Sequence, residues 1–219
     1  MSSLLRLLQL SSPTLPVGAY AYSQGIEAAV HSKLIVDMES AQRWLHDVLT
    51  QSISLNDLAL LKHLYIAWSE GDLEKVSSLG EVSLAIRETH ELRMEDQHLA
   101  KALIRLTKPL SVDFPEEMEN KETYPLVFAK FAVSWKVSLQ EVLEAFCWSW
   151  LENQIAAMVK LVPLGQTQGQ MLMLKMDESI HQAIEQAKQS EEEDIGNSLP
   201  MLAILSAQHE TQYTRLFRS

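Results

Sequence analysis

An all-α fold is predicted by three features of this sequence. Apolar residues recur at helical spacing along most of the chain, glycine and proline sit between those segments, and no stretch sustains the period-two alternation of a strand. Glycine and proline number seven each in 219 residues, too few for a loop-rich architecture. With no internal repeat, the expected arrangement is a single-domain helical bundle spanning residues 1–219.

The elements follow in order. Leu4, Leu5, Leu7, Leu8 and Leu10 form a short amphipathic opening helix that stops at Ser12-Pro13. Asp37 is placed to N-cap a helix carrying Trp44, Leu45, Val48 and Leu49 on one face. Leu58, Leu61, Leu64 and Tyr65 continue the spacing, and Gly71-Asp72 stops and restarts it. A long helix is predicted over Leu84–Lys108, ending before Pro109. The clearest start is Ser138, whose capping box with Glu141 is flanked by a Val137–Val142 staple. The helix that follows, Leu139 to Val162, is apolar on nearly every face, as expected of a central element. Further helices are expected over Gly165–Lys188 and Pro200–Arg218. Ser111–Glu122 and the acidic Gln189–Ser198 read as solvated surface loops.

The composition limits the function. At 47% hydrophobic and 21% charged, the chain is a packed globular protein rather than a disordered one. A net charge of -11 repels phosphate backbones and anionic membrane surfaces, so neither nucleic acid nor a membrane is an expected partner. The single cysteine, Cys147, cannot form an internal disulfide and fits a reducing compartment. The N-terminal apolar run is short and broken by Arg6 and Gln9, unlike an export signal, so the cytoplasm is the expected location.

Enzymatic signatures are not found. The chain has no GxxxxGK[ST] phosphate loop, no GxGxxG, no Gly-x-Ser-x-Gly and no HExxH. Cys147 lies in the most apolar helix, where a thiol is ordinarily inert packing. His90, Met94 and His98 could share a helical stripe, but about 12 Å between the histidines is too far for one ion to bridge. Glu88, Glu91 and Glu95 read as a solvated acidic face paired with Arg87 and Arg93. The expectation is therefore a non-enzyme with no catalytic, cofactor or metal residues.

Three segments suit binding instead. In Ser12-Pro-Thr-Leu-Pro-Val-Gly-Ala-Tyr-Ala-Tyr-Ser-Gln-Gly-Ile-Glu27, Pro13, Pro16 and Gly18 set an irregular loop that presents Tyr20 and Tyr22. Taken singly, each tyrosine serves equally well as an anchor of a helix start to the core. Arg87-Glu-Thr-His-Glu-Leu-Arg93 is a dense charge cluster containing Arg87, Glu88 and Arg93. At the C-terminus, Tyr213, Leu216 and Phe217 are interleaved with Arg215 and Arg218, residue types that carry interface hot spots. A last helix packed on its own domain is the other reading of that tail.

These segments, together with Pro163-Leu-Gly-Gln166, occur in the order in which they occur in the UreF family of urease accessory proteins, which the chain resembles from end to end. The histidine at position 90, where a smaller residue is expected, is a local departure. The resemblance implies an all-helical, non-catalytic protein that dimerises and joins UreD (UreH) and the GTPase UreG, promoting nickel insertion into apo-urease. It assigns a C-terminal tail at about residues 208–219, with Arg215, Leu216, Phe217 and Arg218, to UreD docking. The Pro16–Tyr22 loop with Arg87, Glu88 and Arg93 goes to the UreG side or to its support. Three alternatives stay open: a chaperone that binds nickel through its own ligands, an enzyme with an unrecognised site, and nickel transit along an internal path lined by buried polar groups such as Gln154, Gln166 and Gln170.

Overall fold

The longest unit begins at Asp37, which has extended backbone and accepts a hydrogen bond from Ser40 N at 2.9 Å in a reciprocal capping box. The computed structural model describes residues 2–118 and 121–218, and of Glu117 only the backbone. From the cap, α3 (Met38–Val48) runs into a π-helical segment (Leu49–Leu58) and on into α4 (Ala59–Glu70). Right-handed backbone at Val48, Leu49, Leu58 and Ala59 makes the three parts one rod. Side chains compete for its carbonyls: Thr50 Oγ1 donates to His46 O at 2.8 Å and Ser54 Oγ to Thr50 O at 2.6 Å. Such back-bonding loosens the α-helical ladder and accommodates a wider turn.

Around this rod lie α1 (Ser3–Leu10), α2 (Ile26–His31), α5 (Leu73–Ala85), α6 (His90–Ile104), α7 (Tyr124–Ser134), α8 (Leu139–Leu161), α9 (Gln166–Lys175), α10 (Asp177–Gln189) and α11 (Pro200–Glu210). Among the described residues there is no strand. Helix α10 packs along the π segment, α7 along α4 and α6, and α8 touches α1, α2, α3, α4, α9 and α10. That makes α8 the hub, although Glu144, Trp148, Ala156 and Lys160 on it are exposed. Its start is as expected: Ser138 and Glu141 form the capping box, and Val137 and Val142 are fully buried. One hydrophobic core runs through all these layers. Phe128 and Phe131 of α7 are completely enclosed, each contributing on the order of 1.5–3 kcal/mol of burial. Helix α5 meets the segment before α7 at Gly80, where an added Cβ would lie 2.8 Å from Lys121 O.

Three expected helices end differently. Leu84–Lys108 is broken over Ile86–Thr89: Thr89 has extended backbone and caps α6 by accepting from Leu92 N at 3.3 Å. The break turns Arg87 inward, so it lies on no exposed helix face. Gly165–Lys188 is two helices that meet at the fully buried Met176. The last helix stops at Glu210, and residues 211–218 leave it as irregular chain.

Of the two acidic loops, the second is exposed but tethered. Asn56, on the π segment, donates to Asn197 O at 2.8 Å and accepts from Gly196 N at 3.0 Å, and the Lys62 ammonium is bonded to the carbonyls of Lys188 and Ser190. In the first, Val112 and Met118 are buried, while residues 119 and 120 lie outside the described residues.

A candidate docking surface where the two chain ends meet

The N-terminal loop is shaped by its own backbone. Leu15 N donates to Ser12 O at 2.9 Å, and Val17 N to Leu15 O at 2.7 Å. Gly18 then takes φ 83°, a left-handed conformation that strains any residue with a side chain, and starts a 3-10 turn at Ala19–Ala21. The turn separates the two tyrosines. Tyr20 is 68% exposed, whereas Tyr22 is 4% exposed, with its hydroxyl 2.9 Å from His98 Nδ1 and its carbonyl accepting from Asn153 Nδ2. Burial raises the Tyr22 phenol above its ordinary pKa, against the pull of Arg218 beside it. Tyr22 is therefore an anchor, and Tyr20 is a presented group.

Against this loop lies the C-terminal tail. Arg218 N donates to Ala21 O at 2.8 Å. One carboxylate in the first turn of α2 receives two tail amides: Glu27 Oε1 accepts from Leu216 N at 2.7 Å, and Glu27 Oε2 from Phe217 N at 2.9 Å. Phe217 turns inward, 6% exposed, with Lys160 Nζ 5.3 Å from its ring centroid, while Leu216 is 64% exposed and Tyr213 fully so. Behind Glu27 sits His209, completely buried between two carboxylates, with Nε2 3.3 Å from Glu27 Oε2 and Nδ1 2.7 Å from Glu91 Oε2. Glu91 also holds Arg215 at 2.6 Å. An acidic pair bridged by one imidazole thus clasps three consecutive tail residues.

Glu27, Glu91 and His209 lie within the three segments read as binding elements, but nothing in those segments marks them, because contacts spanning most of the chain leave no spacing to read. Glu91 and Glu95 are not a solvated face either. Glu95 is buried and accepts from Gln24 Nε2 at 2.8 Å, on the segment that leads into α2. Arg87 is likewise internal, 2.7 Å from Asp57 and 3.5 Å from Asp96. Burial opposes its charge, but the two carboxylates outweigh burial and hold the guanidinium above its ordinary range. Burial pushes Asp96 up to about 6, Arg87 offsetting only part of that rise. Glu88 stays exposed and accepts from Ser198 Oγ at 2.5 Å, and Arg93 is exposed on α6.

The inner side of the loop meets this charged group at a cavity of about 90 Å³, whose walls include Ala19, Gln24, Asp57, Arg87, Glu95 and Asp96. Arg87 Nε and Asp96 Oδ2 have no hydrogen-bond partner among the described residues. A second cavity of about 80 Å³, beneath Pro13 and Tyr20, shares Ala19, Tyr124, Ser149 and Asn153 with the first. Among the described residues, no group of three or more His, Cys, Asp or Glu is arranged to hold a metal ion. Among the same residues, no helix is long and apolar enough to cross a membrane.

The family model for UreF matches residues 35–177. The chain belongs to the UreF family. Relatives extend the likeness past the model's span. It is 44% identical over 216 residues to the urease accessory protein UreF of Marinomonas sp., covering 99% of this chain and 94% of the relative. To the proteins of the same name from Alkalilimnicola ehrlichii and Teredinibacter turnerae it is 42% identical, covering 98% and 100% of this chain and 95% and 99% of theirs. The loop at 16–22 and the tail thus lie outside the family model but inside the stretch aligned with full-length UreF proteins.

Proposed function

We propose that this UreF-family chain is a non-catalytic urease maturation factor of the cytoplasm. In this reading it is a homodimeric scaffold that joins UreD (UreH) and the GTPase UreG and so promotes nickel insertion into apo-urease. The observation that carries the reading is the joined pair of chain ends, which leaves Tyr20, Tyr213 and Leu216 exposed on an anchored backbone. A solvated tail gains nothing by presenting large apolar groups on fixed backbone, whereas a docking element does, because ordering costs are met before the partner arrives. UreD is assigned to the tail. Pro16, Gly18 and Tyr22 shape the adjoining loop, Phe217 and Arg218 hold the tail to it, and Arg87 supports the loop from inside. Glu88 and Arg93, the exposed members of the charge cluster, are left for UreG. Holding a GTPase in one nucleotide state requires only differential binding, and no catalytic group need come from the scaffold.

The test uses the double variant Tyr213→Ala/Leu216→Ala, both positions being exposed and safe for folding. Size-exclusion chromatography with light scattering against cognate UreD should show the wild-type complex and its loss in the variant. Full retention of the complex would remove the tail from the interface.

A second reading is favoured by the adjoining cavities: nickel, as cargo, crosses the chain between Tyr124, Ser149 and Asn153, and not past the expected Gln154, Gln166 and Gln170, of which the last two are exposed and none lines either cavity. Asn153→Trp should then block urease activation while leaving the assembled complex intact; unchanged activation would discard the path.

A further inference from the structure

We propose that the cavity between the Arg87 break and the N-terminal loop binds a small neutral amide, a carboxamide or a urea, whose carbonyl accepts from Arg87 Nε and whose N–H donates to Asp96 Oδ2. The inference does not depend on which partner meets which segment, because it concerns a ligand held inside the chain.

Three observations carry it, and the first is an unmet pair. Of the buried polar atoms without a hydrogen-bond partner among the described residues, two belong to residues lining this cavity: Arg87 Nε, a donor, and Asp96 Oδ2, an acceptor. Their groups are neighbours, with Arg87 Nη2 3.5 Å from Asp96 Oδ1, which also accepts from Tyr124 N at 3.1 Å. Asp96 is 6% exposed, and a buried polar group is costly until something pairs with it. The adjacent C=O and N–H of an amide offer one acceptor and one donor side by side, the complement of that pair.

The second observation is size. The cavity holds about 90 Å³, whereas one water needs roughly 10–15 Å³, so a molecule of several heavy atoms fits. The third is charge. The walls carry Asp57, Glu88, Glu95 and Asp96 against Arg87 alone, which repels an anion. A cation fits no better, since Asp57 is already held by Arg87 and Glu95 accepts from Gln24, leaving the newcomer beside the guanidinium. A neutral ligand escapes both conflicts. Leu92, Leu99 and Phe146 give it an apolar wall.

The test reads the Trp150 indole, which lines the cavity and donates to Gln24 Oε1 at 2.7 Å. Acetamide and urea are titrated into the full chain to about 100 mM, well below denaturing concentrations, while indole N–H resonances are followed by NMR. The Trp150 resonance should shift and saturate with a dissociation constant on the order of millimolar, as a ligand of so few atoms allows. Trp44, Trp68, Trp135 and Trp148 lie outside this cavity and should show only linear drift. Acetate, an anion of the same shape, should leave Trp150 unshifted, and acetone, which lacks the N–H, should bind at least about tenfold more weakly. Asp96→Ala should weaken acetamide at least about tenfold by removing the acceptor. Should that variant fail to fold, Ser52→Phe, at a half-buried wall position, fills the space and should abolish the shift. No saturable shift at Trp150 would mean that water alone occupies the cavity, and the proposal falls. It falls equally if acetone matches acetamide, or if the folded variant binds as the wild type does.

Discussion

Arg87 and Asp57 form a 2.7 Å ion pair between the break that ends α5 and the π-helical segment of the long rod. The side chains are 15% and 9% exposed, and Asp96 approaches the same guanidinium at 3.5 Å from α6. One cation thus ties three elements beside the cavity under the N-terminal loop. Arg87→Ala leaves two buried carboxylates without it and should destabilise the chain by roughly 3–5 kcal/mol, read as a drop in denaturant midpoint. A side chain committed in this way is not free to reach a phosphate. Complex formed at equal amounts with the variant should therefore hydrolyse GTP at the wild-type rate, and a selective loss of hydrolysis would mean that Arg87 acts on the phosphate as an arginine finger.

The same group sets a pH dependence. Burial pushes Asp96 up to about 6, from an unfolded value of about 3.8, so the folded state holds its proton more tightly. Its contribution is fully present below pH 4 and is lost as pH rises through 6, a change on the order of 2–3 kcal/mol. Urea titrations at pH 4.5 and pH 7 should show this slope, and Asp96→Asn should flatten it. An equal slope in the variant would assign the dependence elsewhere.

Gly80→Ala tests close packing. Alanine is the better helix former, yet its Cβ would sit 2.8 Å from Lys121 O and 3.0 Å from Leu126 Cδ1. Destabilisation of about 1–3 kcal/mol is expected where propensity alone predicts a gain. A raised melting temperature would show that the Lys121 segment yields without cost.

In the tail, Phe217 and Tyr213 should behave oppositely. Phe217→Ala removes an apolar anchor and should open Arg215 and Arg218 to trypsin while the melting temperature hardly moves, because the tail undocks locally. Tyr213→Ala should leave cleavage unchanged, since that ring is fully exposed. Equal cleavage in the two variants would mean that Phe217 does not hold the tail.

Cys147 offers a check on the core. Burial, with Glu144 adding to it, pushes its thiol up to about 12, so the nucleophilic thiolate is scarce at neutral pH. A thiol reagent should label it only on unfolding, and fast native labelling would mean that α8 is open on this side.

What the sequence determined by itself is local. The caps at Asp37 and Ser138 join partners three residues apart, and the punctuation at Pro13 and Gly71-Asp72 acts through its own backbone. Such signals need no fold to be legible, and neither do the all-α class or the four ordered motifs of the UreF resemblance. Tertiary structure decided everything that depends on distant partners. The break at Ile86–Thr89 accompanies the pull of Asp57 on Arg87, thirty residues back along the chain. The division of Tyr20 from Tyr22 depends on where His98 lies, and the end of the last helix on what waits for the tail. Glu27 meets Leu216 and Phe217 across 189 and 190 residues, so no periodicity or spacing could mark it. Burial gives such a contact its strength, and burial exists only once the chain has folded.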